Sequence, residues 1–242
     1  MKFAKPLLFG FFIVAAVAVA FIVWASSAMR PAPEAFAALR SDAQVTVSVD
    51  EYIVFQPASK KPTTGFVFYP GGRVDYRAYA APLRRIAEQG YLVILLPVRL
   101  NLAFFDANAA DRAIPPFPEI KHWGVGGHSL GGVAAALYAS QHEEIDGLVL
   151  WASYPANDAL KDAGIAVLSI YGTEDMNGVA VFEEKHALLP ADTQYVVVQG
   201  GNHAQFGDYG AQPGDNEAAI SRADQQKQTV EATVQFLKEL NQ

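Results

Sequence analysis

A serine, an acid and a histidine occur in that order in the second half of the chain, each within a glycine-containing segment. Ser129 is the centre of Gly127-His-Ser-Leu-Gly131, a G-x-S-x-G pattern, whereas Asp175 and His203 follow later. A serine hydroxyl becomes a nucleophile when a neutral imidazole takes its proton and a carboxylate orients that imidazole. We therefore predict acyl transfer with Ser129 as nucleophile, His203 as base and Asp175 as orienting acid.

Each of these residues also has a simpler interpretation. G-x-S-x-G occurs in ordinary glycine turns before core helices, and an isolated aspartate or histidine often serves only a turn. The order of all three favours catalysis. Glu174 remains the alternative acid, because loop boundaries are uncertain by a few residues. A dinucleotide site is disfavoured, since Ser129 stands where the third glycine of G-x-G-x-x-G would fall.

An acyl-transfer site also needs donors for the oxyanion of its tetrahedral intermediate. We expect one from the backbone N–H of Leu130, directly after the nucleophile, and one from Pro70-Gly-Gly-Arg73. Gly72 is the favoured second donor, and Arg73 is the alternative. No role is assigned to the other four histidines, namely His122, His128, His142 and His186.

Placing these residues requires strands that end beside them and helices that pack against the strands. The apolar runs predict strands, the 3.6-residue pattern predicts helices, and their alternation predicts a mostly parallel sheet. In such a sheet the sites lie at the carboxyl ends of the strands. The predicted strands are a pair within 45–55 and runs at 65–69, 91–97, 123–125, 145–152, 166–171 and 195–199. The predicted helices are 76–89, 103–112, 132–140, 179–189 and 221–240.

The composition excludes several classes of function. The net charge of −7 is spread along the chain, so nucleic acid is not an expected partner, and the absence of cysteine excludes thiolate metal sites and a cysteine nucleophile. The five histidines show no H-x-x-x-H spacing, so no metal is expected. We expect no cofactor. The oligomeric state does not follow from the sequence.

Residues 1–30 form a separate unit. Lys2 and Lys5 precede an uncharged apolar run, Leu7 to Ala25, which is longer than the roughly 7 to 15 residues of a signal-peptide core. We therefore predict a single-pass transmembrane helix that anchors the protein in the cell membrane. A cleaved signal peptide, giving a secreted protein, is the alternative. The lysines place the catalytic domain outside the cytoplasm. Residues 31–44 are the expected tether, and residues 45–242 the catalytic domain.

From Val45 to Leu240 the chain resembles the α/β-hydrolase superfamily. The resemblance is carried by Gly127-His-Ser-Leu-Gly-Gly132, Gly172-Thr-Glu-Asp175, Phe68-Tyr-Pro-Gly-Gly-Arg-Val74 and Gly200-Gly-Asn-His-Ala-Gln-Phe-Gly207. These segments look like those of a bacterial, often membrane-anchored branch close to dienelactone-hydrolase-like enzymes. Here Ser129 replaces the cysteine of true dienelactone hydrolases. Tyr69-Pro70 replaces the usual His-Gly start of the oxyanion loop. The resemblance implies the α/β-hydrolase fold and carboxylic-ester hydrolysis.

Three functions from different classes remain open at this point. The first is a serine hydrolase that cleaves small acyl esters through an acyl-enzyme. The second is a cofactor-free perhydrolase or acyltransferase that uses the same triad, and the third is a catalytically silent binding domain anchored at the membrane. Only Ser153 to Ile165 separates two predicted strands where a lid is commonly inserted. We therefore expect a minimal lid or none, and an open pocket for a short acyl substrate.

Overall fold

Eight strands form one sheet in the computed structural model, which describes the backbone of residues 4–241 and the side chains of residues 12–241. In spatial order the sheet runs β1-β2-β4-β3-β5-β6-β7-β8. The strands are β1 Val45–Val49, β2 Ile53–Pro57, β3 Thr64–Tyr69, β4 Leu92–Leu95, β5 His122–His128, β6 Gly147–Trp151, β7 Ala166–Gly172 and β8 Gln194–Val198.

The sheet is mostly parallel. Strands β1 and β2 pair antiparallel with each other, and β2 pairs antiparallel with β4. All the other neighbouring pairs, from β4-β3 to β7-β8, are parallel. The predicted α/β architecture is therefore confirmed. The carboxyl ends of β3, β5, β6, β7 and β8 lie along one edge, as parallel pairing requires.

Helices cover both faces of the sheet. The α-helices are α1 Ala4–Ser26, α2 Pro33–Ala37, α3 Ala80–Glu88, α4 Ala110–Ala113, α5 Leu130–Ala139, α6 Val179–Lys185 and α7 Arg222–Glu239. Helices α3 and α7 share one buried cluster with the sheet, which includes Leu83, Ile86 and Phe236. Helices α4 and α5 contribute to the cluster on the opposite face, through Ala110 and Ala135 among others. Each face of the sheet thus has its own core.

The predicted helix at 103–112 is wrong as a single element. It is divided into a 3₁₀-helix at Ala103–Asp106 and the short α4. Tyr69 explains the break, because its hydroxyl donates to the carbonyl of Ala107 (2.6 Å) and accepts from the N–H of Ala110 (3.1 Å). Both backbone groups would otherwise take part in helical hydrogen bonds. The predicted helix at 76–89 likewise begins as a 3₁₀-helix, Tyr76–Tyr79, before α3.

The end of α1 is bound to the loop after β3. The guanidinium of Arg73 donates to the carbonyl oxygens of Trp24 (3.1 Å) and Ser27 (3.1 Å) and lies 4.5 Å from the centre of the Trp24 ring. The backbone of Met29 pairs with that of Arg73 and Asp75. Arg73 thereby binds carbonyl groups at the C-terminal end of α1, where intrahelical hydrogen bonds run out.

The expected tether at residues 31–44 is packed against the domain. Ala35 of α2 is fully buried, and the guanidinium of Arg84 in α3 donates to the carbonyl oxygens of Ala38 (3.2 Å) and Arg40 (2.6 Å). Of the predicted anchor, residues 1–3 lie outside the described residues, and for residues 4–11 only the backbone is described. Among the residues that are described, no helix combines the length and the hydropathy needed to cross a bilayer.

Candidate active site

Ser129 lies on a sharp turn between β5 and α5. Its backbone has φ 52° and ψ −123°, a conformation that L-residues rarely adopt and that costs about 1–3 kcal/mol. The turn is possible because Gly127 and Gly131 have no side chains. A Cβ atom on Gly127 would lie 2.4 Å from the backbone carbon of Gly131, and one on Gly131 would lie 2.2 Å from the carbonyl oxygen of Tyr69. The two glycines of the motif are therefore steric requirements.

Residues at the end of the neighbouring strand β6 and just after it support this turn. The N–H of Ser129 donates to the carbonyl of Trp151 (3.0 Å), and the hydroxyl of Ser153 donates to the carbonyl of Ser129 (2.7 Å). Both polar groups of the Ser129 backbone are thus bonded. Such local support is what allows a strained residue to persist.

His203 and Asp175 form a buried pair at the ends of β8 and β7. The Nδ1 of His203 lies 2.8 Å from Oδ2 of Asp175, and both residues are buried. The other carboxylate oxygen of Asp175 accepts from the backbone N–H (2.8 Å) and the side-chain amide (2.9 Å) of Asn177. An ionised carboxylate accepts at both oxygens in this way. Because a carboxylate can only accept, the Nδ1 of His203 must carry the hydrogen of this bond. The Nε2 of His203 is then free to accept a proton.

The structure brings His203 and Asp175 together but leaves the hydroxyl of Ser129 unbonded. Among the described residues no hydrogen bond reaches Ser129 Oγ, and the residue is half-buried. The ring of His128, next to Ser129 in the chain, lies 4.6 Å from the ring of His203, centre to centre. Hydrogen bonds of catalytic groups are often long before substrate binds.

Glu174, the alternative acid, is not bonded to His203. Its carboxylate accepts a 3.3 Å hydrogen bond from the hydroxyl of Thr173, and its backbone N–H donates to the carbonyl of Gly201. The geometry thus favours Asp175 over Glu174 for orienting the imidazole.

Gly72 and Arg73 differ in whether their backbone N–H is free. The N–H of Arg73 donates to the carbonyl of Asn101 (2.7 Å). Within the described chain the N–H of Gly72 has no hydrogen-bond acceptor, and Gly72 lies beside Leu130, whose side chain would be 3.1 Å from an added Cβ. Leu130 is the first residue of α5, so its own N–H has no intrahelical partner. In the described chain the N–H groups of Gly72 and Leu130 are therefore both free, whereas that of Arg73 is not.

Asp215 holds together the loops that carry Asp175 and His203, a contact that the sequence analysis missed. Its carboxylate accepts from the backbone N–H groups of Met176 (3.1 Å), His203 (3.3 Å) and Ala204 (2.8 Å). Met176 directly follows Asp175. One side chain from the 207–220 loop thus binds both the acid loop and the histidine loop. Nothing in the sequence distinguishes an acidic loop residue that makes such contacts from one that does not.

His128, to which the sequence analysis assigns no role, is fully buried and lies against the ring of His203. The remaining histidines lie outside the site: His142 stacks on Tyr138 and His186 packs against Tyr195, while His122 lies beside Asp146. In the part of the chain that the structure describes, no group of three or more metal-ligating side chains could hold an ion.

Comparisons with known proteins identify the family and the fold. Residues 65–227 match the family model described as "Alpha/beta hydrolase family". No curated protein matches the sequence. Among solved structures, the esterase domain of a Rhodothermus marinus protein superposes with a TM-score of 0.63 at 14% identity, covering 81% of this chain and 98% of that one.

Two further structures extend the comparison. The dienelactone hydrolase of Anabaena variabilis has a TM-score of 0.57 at 17% identity and covers 79% of this chain and 98% of its own. A membrane phospholipase A, described as a bacterial virulence factor, has a TM-score of 0.58 at 15% identity and covers 98% of this chain and 99% of its own. At these identities the superpositions establish a shared fold.

Proposed function

The chain belongs to the alpha/beta hydrolase family, and from that premise we propose that it is a serine hydrolase that cleaves carboxylic esters through an acyl-enzyme. The observation that carries this proposal is the buried His203–Asp175 pair beside the strained turn at Ser129. A base held in one tautomer and a nucleophile held in one conformation are the two components that acyl transfer from serine requires.

The reaction proceeds in two halves. Ser129 Oγ attacks the acyl carbonyl carbon while its proton passes to Nε2 of His203, and Asp175 stabilises the resulting imidazolium. The N–H groups of Leu130 and Gly72 stabilise the oxyanion of the tetrahedral intermediate. When that intermediate collapses, the alcohol leaves with the proton from His203. Water, deprotonated by the same imidazole, then attacks the acyl-enzyme and releases the acid and Ser129.

A short acyl group fits the surroundings of Ser129 best. The segment between β6 and β7, residues 152–165, contains no helix in the described chain, so no cap is inserted there. A long hydrocarbon chain gains binding energy only where apolar walls remove it from water, and a site without a cap offers fewer such walls than a capped one.

A fluorophosphonate probe tests the nucleophile directly. The wild-type protein should be labelled and should hydrolyse p-nitrophenyl acetate, whereas Ser129→Ala should lose both properties. Ser140→Ala is the matched control, because Ser140 follows the same helix α5 and its hydroxyl donates only to the carbonyl of Leu137. Labelling of Ser129→Ala would contradict the proposal. A folded wild-type protein that is not labelled would instead favour a silent binding domain.

Product analysis separates hydrolysis from acyl transfer, because the triad itself does not select the second nucleophile. In buffer containing a small alcohol or hydrogen peroxide, a hydrolase should release mainly the free acid from an ester substrate. Release mainly of the new ester or the peracid would favour an acyltransferase or perhydrolase.

We also infer that residues 1–30 hold the protein at the cell membrane, with the catalytic domain outside the cytoplasm. The uncharged run in the sequence supports this inference. In the described part of α1, apolar side chains such as Phe21, Ile22 and Val23 remain exposed. A helix that is apolar on all sides and not covered by protein is typical of a lipid environment.

A further inference from the structure

A buried chain of hydrogen bonds connects the two loops on either side of Ser129. Its centre is the pair Tyr79 and His128, both fully buried. The hydroxyl oxygen of Tyr79 accepts from the backbone N–H of Gly71 (3.1 Å) and lies 2.8 Å from Nδ1 of His128. The Nε2 of His128 lies 3.0 Å from the backbone carbonyl oxygen of His203. The oxyanion loop and the histidine loop are thus joined through two side chains.

The direction of every bond in this chain is determined. A carbonyl oxygen can only accept, so Nε2 of His128 must carry a hydrogen and donate it to His203. Burial, and secondly the proximity of His203, lower the pKa of His128 well below its ordinary value, so the ring is neutral. A neutral ring with hydrogen on Nε2 accepts at Nδ1. Tyr79 therefore donates its hydroxyl hydrogen to His128 and accepts from Gly71.

Each end of this chain lies one peptide unit or less from a proposed catalytic group. Gly71 precedes the oxyanion donor Gly72, His128 precedes the nucleophile Ser129, and the carbonyl that accepts from His128 belongs to the base His203 itself. We propose that Tyr79 and His128 are positioning residues that hold the oxyanion donor and the base in register with the nucleophile. This rests on the proposed serine-hydrolase function. Both side chains act through the backbone, since neither is exposed to substrate.

The surroundings favour a positioning role over simple filling of the core. The His128 ring stacks on Phe206 and Tyr79 packs against Phe68, so apolar side chains could fill this space, but the backbone N–H of Gly71 and the carbonyl of His203 would then be buried without these partners. Burying a polar group is unfavourable unless each of its atoms is hydrogen-bonded. The chain also accounts for Gly71, because a Cβ there would lie 2.7 Å from both His128 Nδ1 and the Tyr79 hydroxyl oxygen.

Three substitutions separate the two bonds that the His128 ring makes. Tyr79→Phe removes the hydroxyl and leaves the ring. His128→Asn keeps an oxygen near the Nδ1 position that can accept from Tyr79, whereas His128→Gln keeps an N–H near the Nε2 position that can donate to His203. We expect each variant to lower kcat by about 10- to 100-fold, as a displacement of about 1 Å does, with KM changed less than about twofold. His128→Leu, which retains neither bond, should lose the most.

The coupling between Tyr79 and His128 can be measured from the kcat of the double variant. A purely structural role for the two side chains would not produce this coupling in kcat. Tyr79→Phe and His128→Gln both remove the bond between Tyr79 and His128, so the loss of kcat in the double variant should be smaller than the product of the two single losses. Tyr138→Phe is the matched control, because Tyr138 is also buried but its hydroxyl donates to Asp111, away from this chain. Its kcat should stay within about twofold of wild type. Circular dichroism should show that every compared variant is folded.

The outcomes distinguish this inference from the function on which it rests. A folded wild-type protein that neither reacts with fluorophosphonate nor hydrolyses esters overturns both. An active wild type with Tyr79→Phe at the kcat of Tyr138→Phe overturns the positioning role alone. Should Tyr79→Phe not fold, the two polar variants of His128 decide the matter: wild-type kcat in both His128→Asn and His128→Gln overturns the inference, and a loss in both that exceeds any change in KM supports it.

Discussion

Asp175 and Glu174 are adjacent carboxylates with different surroundings, and substitution separates their effects. Only Asp175 contacts the imidazole of His203. Asp175→Asn should lower kcat by about 10⁴-fold, because the amide cannot hold the imidazole in the tautomer that accepts the serine proton. Glu174→Gln should lower it by less than about tenfold. Steady-state hydrolysis of p-nitrophenyl acetate by both variants checks this. A larger loss in Glu174→Gln would reverse the assignment.

The burial of His128 also predicts how stability depends on pH. The folded protein keeps this imidazole neutral, with a pKa well below the value of about 6.5 in the unfolded chain. Below about pH 6.5 the unfolded chain therefore binds a proton that the folded chain does not bind. The free energy of unfolding should fall with decreasing pH by up to about 1.4 kcal/mol per pH unit from this group.

Urea unfolding between pH 5 and pH 7.5 measures that dependence. His128→Gln should show a shallower acid slope than wild type, because the titrating group is gone. The titratable side chains that face His128 are His203, Tyr79 and Tyr209, and all of them remain in the variant. Equal slopes in the two proteins would show that His128 binds a proton as readily in the folded chain as in the unfolded chain.

At the scale of elements, the contact between α1 and the oxyanion loop predicts a remote effect on catalysis. Arg73 binds the end of α1 with its side chain and Asn101 with its backbone N–H. Arg73→Ala should lower kcat a few-fold by loosening the loop that carries Gly72, in line with the roughly 1 kcal/mol of an exposed charged contact. Arg99→Ala is the control, because that side chain is 74% exposed. Equal kcat values for the two variants would contradict the effect.

The short connection between β6 and β7 predicts the preference for acyl chain length. With no helix inserted at residues 152–165, kcat/KM for p-nitrophenyl esters should be highest for the acetate or butyrate. It should fall for chains beyond about eight carbons, because a site without a cap removes little of a long chain from water. A preference for long chains that arises only above the micelle threshold would show that another segment, such as the loop at 204–220, covers the site.

At the scale of the whole molecule, the N-terminal segment predicts where the protein resides. After expression of the full chain, the protein should sediment with membranes and resist extraction by alkaline carbonate, because residues 7–25 carry no charge. Protease added to spheroplasts should degrade the catalytic domain. A soluble mature chain that begins near Met29 would instead establish a cleaved signal peptide.

The order of residues in the sequence was enough to predict most of the architecture and to propose the candidate triad. Ser129, Asp175 and His203 each follow a strand, and strand ends meet at one edge of a parallel sheet, so periodicity alone predicts that they lie along that edge. The structure shows the contact between Asp175 and His203. Tyr79, His128 and Asp215 could not be found in this way. Their contacts depend on which backbone groups become neighbours after folding, and a buried histidine has no periodic pattern. The break in the predicted helix at Ala107 has the same origin, because it is caused by Tyr69, which is distant in the sequence, at the end of β3.

The docking of α1 on Arg73 has a practical consequence for shortened forms of the protein. A fragment that starts at residue 30 would omit the apolar helix but also Trp24, Ser27 and Met29, leaving the Arg73 guanidinium and the backbone after it without their partners. Such a fragment could be soluble and folded yet turn over poorly. A shortened protein that begins before Trp24 would keep these contacts.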